Sequence, residues 1–260
     1  LAQSLFGDMD VSIIAHRPSG RMPVTTHLVR SSSMGPILEE VLQKIDEGNQ
    51  CYVVCPAIEK NEEMPMRNVT DIYQGMCSLL GKRYRIGLLH GKMSGEEKNE
   101  VMERFARGEL DILVSTTVIE VGIDVKKANL MVIYDAHRFG LSTIHQLRGR
   151  VGRGSQPGYC YLLTSSGDEE ALQRLKMLET LSDGFEISRY DLSLRGPGDL
   201  LGTRQSGVPG FVLGNVITDE KMMEAARSDA AYALQHLEDE EYACLKPIIE
   251  QDVKKSAYFD

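Results

Sequence analysis

Short runs rich in Val, Ile and Leu alternate along this chain with longer stretches whose apolar residues recur every three or four positions. The short runs have the composition of buried strands, and the longer ones the period of helices packed by one face. Strands are expected at Val24 to Arg30, Gln50 to Ile58, Arg85 to Leu89, Asp111 to Thr116, Leu130 to Tyr134 and Gly158 to Leu163. Between them fall helices over Pro36 to Glu47, closed by Gly48, over Val69 to Leu80, followed by Gly81, and from Ser94 to Arg107. Ser94-Gly95-Glu96-Glu97 reads as a capping box, the Ser94 hydroxyl accepting from the Glu97 amide and the Glu97 carboxylate reaching back, with Gly108 as the stop. This alternation implies an α/β fold with a mostly parallel sheet covered on both faces, and crossover handedness makes it doubly wound. Beyond residue 165 the strands cease. Leu172, Leu175, Leu178 and Leu181 mark an amphipathic helix, Gly196-Pro197-Gly198 a break, and further helices are expected from Asp219 to Leu237 and from Tyr242 onward.

In doubly wound sheets the ligand crevice lies at the carboxyl ends of the strands. Cys55-Pro56, His90-Gly91, Ser115-Thr116-Thr117 and a helix from Gln146 to Arg153 are therefore expected to meet there. Thr116 offers a hydroxyl and an amide to a phosphate, His90 a ring nitrogen, and Gly91 an unobstructed backbone. Gly122-Ile123-Asp124 permits a tight turn with a carboxylate placed to accept from a ribose hydroxyl.

The run Gln146-Leu147-Arg148-Gly149-Arg150-Val151-Gly152-Arg153-Gly154 changes the picture most. On a helix, Gln146, Arg150 and Arg153 share one face and Arg148 points elsewhere. Gly149 and Gly152 would lie on a neighbouring stripe, each costing about 1 kcal/mol in helix propensity, which a surface helix has little reason to bear. A planar, permanently charged guanidinium grips two phosphate oxygens at once and can stabilise charge on a transferring γ-phosphate. No G-x-x-x-x-G-K-[ST] loop is found, so the phosphate must be cradled mainly by something else.

The 260 residues, 42% of them hydrophobic, fit a folded α/β domain with an appendage rather than a disordered or fibrous chain. No stretch approaches the roughly 18 apolar residues of a membrane span, and the first residues resemble neither a leader nor a cleavage site, so a cytoplasmic protein is expected, cut from a longer polypeptide. The five cysteines have no metal-binding spacing and are expected to be reduced thiols. Net charge is −9, yet residues 166–260 hold 19 acidic against 10 basic residues, so the first 165 are balanced. An acidic tail does not prevent a neutral lobe with a basic rim from meeting DNA.

Leu88 to Met93, Asp111 to Val125 and Gln146 to Gly154 resemble the second-lobe motifs of superfamily 2 helicases, whose fold is RecA-like. Asp183-Gly184-Phe185-Glu186-Ile187 and Asp191 to Gly207 are similar to the translocation motif of the RecG family, ATP-dependent helicases of branched DNA. Transcription-repair coupling factors share the lobe and a version of this tail, but typically have Ala where Pro197 stands. The resemblance implies a linker from a first lobe over 1–23, a second RecA-like lobe over 24–165, a helical hairpin with the translocation motif over 166–213, and an acidic helical segment over 214–260. It puts Gln146, Arg150 and Arg153 against the γ-phosphate of ATP, Gly122 and Asp124 near the nucleotide sugar, and Thr116, His90 and Gly91 along the DNA backbone. Arg195, Arg204 and Gln205 would couple lobe closure to movement on duplex DNA. The phosphate loop and the Mg²⁺-holding motif belong to the first lobe in this family, and a wedge domain precedes it; none is found in this sequence, which is not expected to hydrolyse ATP alone. The implied partners are forks and Holliday junctions, together with the wedge and first lobe in cis, and a monomer is expected. The readings set against this are a coupling-factor-like translocase lobe and a non-catalytic nucleic-acid-binding module.

Overall fold

The computed structural model describes residues 22–56, 69–116, 125–153, 156–195, 220–247 and 249. Six strands, β1 (Val24–Arg30), β2 (Gln50–Val54), β3 (Ile86–Leu89), β4 (Ile112–Ser115), β5 (Ala128–Ile133) and β6 (Gly158–Thr164), form one sheet in the order β1-β6-β5-β2-β4-β3. Every neighbouring pair is parallel. All positions of β2, β4 and β5 are buried, which is why their sequences are mostly apolar without alternation, with Gln50, Ser115 and Asn129 as buried polar exceptions.

Helices α1 (Met34–Asp46) and α2 (Val69–Leu80) cover one face, packing Val41, Ile45, Val69 and Ile72 on Cys51, Val53, Ile112 and Val114. Helices α3 (Gly95–Ala106), α4 (Leu141–Arg148) and α5 (Glu169–Thr180) contribute Met102, Phe105, Leu141, Ile144, Leu175 and Leu178 to the other, against Tyr52, Val54 and Leu113. Successive β2 side chains thus enter opposite cores, as a period of two requires.

The capping box at Ser94 forms as expected: Glu97 N donates to Ser94 Oγ at 3.2 Å and Ser94 N to Glu97 Oε2 at 2.7 Å. These bonds hold the Glu97 carboxyl below its ordinary value. α3 is closed just past its end by Gly108, whose φ of +75° only glycine adopts readily. The strand expected from Gln50 to Ile58 is shorter, ending at Val54; Cys55 and Pro56 leave the ladder, and residues 57–68 lie outside the described residues.

The described residues fall into two units, within Ser12–Asp191 and within Leu192–Asp260. In the second, helix α7 (Glu220–Gln235) leads to a short 3-10 turn at Ala243–Leu245, and Tyr232 stacks on His236 with ring centroids 4.0 Å apart. Helix α6 (Gly184–Arg195) runs up to and across the boundary between the units. No helix among the described residues is long and apolar enough to cross a membrane.

Candidate functional site

The arginine run does not continue as a helix. α4 stops at Arg148, Gly149 caps it, and the chain turns through Arg150 and Val151 to Gly152 at φ +71°. A Cβ on Gly152 would stand 3.2 Å from Val24 Cγ2 and 3.3 Å from the Met22 carbonyl, so glycine is demanded here by both dihedral and space. Gln146, Arg150 and Arg153 therefore do not share a helical face. Gln146 is exposed on the last full turn of α4, Arg150 is half-buried in the turn, and Arg153 is exposed beyond Gly152 with its Nε donating to the Gly149 carbonyl at 3.1 Å. Val151, fully buried, pins the turn to the core.

This turn also lies elsewhere than expected. Gly152 and Gly158 touch each other and the beginning of β1, at the amino end of the sheet, because a crossover helix in a parallel sheet runs back against its strands. His90 and Thr116 follow the last residues of β3 and β4, at the carboxyl end and toward the other edge. Four strand spacings separate β6 from β3, about 19 Å at roughly 4.8 Å each. The four groups expected in one crevice thus form two surfaces, one with the arginines and one with His90, Gly91, Thr116 and Cys55.

On the carboxyl surface, Thr116 is 5% exposed, and among the described residues its Oγ1 and the His90 Nδ1 have no hydrogen-bond partner. The His90 loop is held by one backbone and two side-chain bonds: Met93 N donates to His90 O at 3.2 Å, His90 N to Met93 Sδ at 3.4 Å, and Lys98 Nζ to the Gly91 carbonyl at 2.9 Å. Farther along this end of the sheet, after β5, stands Asp135, a non-glycine residue at φ +48°, whose Oδ1 accepts from Ser165 Oγ at 3.4 Å. Burial, with Asp135 as a lesser cause, pushes the Cys55 thiol up to about 12, making it an inert core group.

Arg148 goes where the helical spacing could not say. It is 6% exposed, and its Nη1 donates to the carbonyls of Leu178 at 3.1 Å and Leu181 at 2.9 Å, at the C-terminal end of α5. Carbonyls there have lost their intrahelical donors and carry the negative end of the helix dipole, so a guanidinium suits them doubly. Nearby, the His145 ring packs on Gly184 so closely that a Cβ there would lie 3.0 Å from Nε2. Arg174 of α5 also grips the turn that precedes α4, its Nη2 donating to the His137 carbonyl at 2.6 Å. α4 is thus joined to the end of α5 and the start of α6. The sequence signal for Arg148 was its place beside the apolar Leu141, Ile144 and Leu147 stripe, on the buried side.

Gly122 and Asp124, and Arg204 and Gln205, lie outside the described residues, while Arg195 is the last residue of α6 with its side chain outside them.

Two family models match: the helicase conserved C-terminal domain over residues 35–155, and domain 3, C-terminal, of the ATP-dependent DNA helicase RecG over 181–256. The ATP-dependent DNA helicase RecG of Staphylococcus epidermidis is 45% identical over 257 residues, 98% of this chain and 38% of that protein. That of Staphylococcus aureus is 47% identical over 236 residues, 90% of this chain and 34% of that protein. A solved structure of RecG bound to a three-way DNA junction superposes with a TM-score of 0.66 at 43% identity, covering 86% of this chain and 28% of that one. The chain therefore spans well under half the length of these relatives. With a RecA-like parallel sheet and both family models matched in their expected order, the chain belongs to the RecG family of ATP-dependent DNA helicases.

Proposed function

We propose that this chain supplies the second motor lobe and translocation element of a cytoplasmic enzyme that uses ATP to remodel branched DNA, reversing forks and migrating Holliday junctions. The observation that carries the reading is the turn at Gly152, which holds Arg150 and Arg153 off the end of α4 at one end of the sheet. Two guanidiniums and the Gln146 amide form a donor set suited to a triphosphate and to the charge that grows on it during transfer. Arg150 and Arg153 act as the fingers, completing a nucleotide pocket whose phosphate loop lies on another lobe. Mg²⁺ is assigned mainly to that lobe too, as the resemblance to superfamily 2 helicases implies. Gly122 and Asp124 sit near the nucleotide sugar in this reading.

The carboxyl surface takes the DNA. His90 is half-buried at the end of β3 and Gly91 presents exposed backbone, with Thr116 at the end of the neighbouring strand, a combination suited to phosphate oxygens. Closure on ATP displaces the turn, α4 passes the displacement to α5 and α6 through Arg148 and the His145–Gly184 contact, and Arg195, Arg204 and Gln205 convert it into a step along the duplex by a monomer. In the full-length protein, Arg153→Ala is expected to abolish DNA-stimulated ATP hydrolysis while fork affinity by fluorescence anisotropy stays within about twofold, as removal of a transition-state contact should. Loss of fork binding would remove the finger assignment.

A further inference from the structure

We infer that Asn129 and Gln156 are positioning residues for the arginine turn, fixing its far end by a side-chain amide relay. The near end needs no such device, since α4, Val151 and Gly152 hold it to the core. The far end is different. Gln156 is exposed, three residues after Arg153 and two before β6. Its Oε1 accepts from Asn129 Nδ2 at 3.2 Å, and the same nitrogen donates to Asn49 Oδ1 at 2.9 Å. Asn129 is 4% exposed in β5, and Asn49 directly precedes β2, where Gln50 N donates to Lys127 O at 2.8 Å. One buried amide therefore ties Gln156, three residues past Arg153, to the amino ends of two central strands.

Packing holds Gly158 but not the side chain of Gln156, which is exposed. Behind the relay lies a cavity of about 220 Å³ lined by Lys44, Glu47, Asn49, Asn129, Gln156 and Tyr159. A turn released from Asn129 has room to settle into it and draw Arg153 out of place. The relay is also chemically particular. Asn49 Nδ2 is committed to the Lys44 carbonyl at 2.8 Å, so Asn49 presents its oxygen and residue 129 must donate to it; an isosteric carboxylate would set oxygen against oxygen there. Position 156 need only accept.

The inference rests on the finger reading, and the test separates the two. In the full-length protein, Gln156→Ala, at an exposed position, is expected to lower kcat for DNA-stimulated ATP hydrolysis about tenfold, with KM for ATP and fork affinity within about twofold, because misplacing a group that acts in the transition state penalises turnover rather than binding. Gln156→Glu keeps the acceptor and is expected to restore kcat to within about twofold of wild type. Asn129→Asp is expected to be at least as damaging as Gln156→Ala. Wild-type kcat in Gln156→Ala, or equal losses in Gln156→Ala and Gln156→Glu, overturns the relay. If Arg153→Ala also retains turnover, the failure belongs to the finger reading instead.

Discussion

Gly152 is the residue on which the arginine surface turns, and its replacement separates two demands. Gly152→Ala places a methyl 3.2 Å from Val24 Cγ2 in a backbone region that L residues avoid. It is expected to destabilise the lobe by about 1–2 kcal/mol, read by urea unfolding, and to lower ATP turnover in the full-length protein more than fork binding. A variant as stable and active as wild type would show that the turn tolerates another conformation. The glycine spacing was visible in the sequence, but it was compatible with two backbones. Gly149 and Gly152 three apart fit a helical stripe and equally a capped helix followed by a left-handed residue. Contact with Met22 and Val24, more than 120 positions away, selects the second, and that is a tertiary fact no local pattern carries. Arg148 is a parallel case: its spacing excluded it from the phosphate-facing set, while its two carbonyl acceptors come from a different helix.

At the scale of elements, the boundaries set by chain chemistry were legible. β1 and α2 begin and end where the apolar period does, and Ser94 and Glu97 cap α3 as their spacing requires. What the local apolar pattern does not carry is which end of the sheet each loop occupies, which follows only from crossover direction: α4 runs antiparallel to β5, so its C-terminal residues arrive at the amino ends. Those amino ends are stitched by charge as well. Arg85, just before β3, grips Asp111, just before β4, through two guanidinium bonds of 2.6 and 3.0 Å and its own amide at 2.8 Å. Burial alone would raise the Asp111 carboxyl, but the Arg85 contacts outweigh it and hold the group below its ordinary value. A depressed folded-state value contributes stability above the unfolded carboxylate value near 3.9 that is lost as pH falls below it. Urea unfolding of wild type and Arg85→Met at pH 6 and pH 3 is expected to show a gap of about 1 kcal/mol that narrows at the lower pH. A gap that is the same at both would mean the carboxylate is not held by Arg85.

For the whole molecule, the arginine surface and the carboxyl surface lie at opposite ends of one sheet, so events at one reach the other only through the intervening framework. The joint between α4, α5 and α6 is the described part of that framework. Arg148→Lys retains the charge but cannot span two carbonyls with a planar fork. In the full-length protein it is expected to keep most DNA-stimulated ATP hydrolysis while unwinding fewer base pairs per ATP; an unchanged ratio would mean that the stroke bypasses this joint. The chemistry of that joint has one more consequence. A guanidinium keeps its proton throughout the physiological range, and peptide carbonyls take none up, so the bonds from Arg148 to Leu178 and Leu181 are blind to acidity. Between pH 6 and 9 these two bonds should accordingly stay in place, so a change in base pairs unwound per ATP across that range would have to enter elsewhere in the joint, where the His145 ring packs on Gly184.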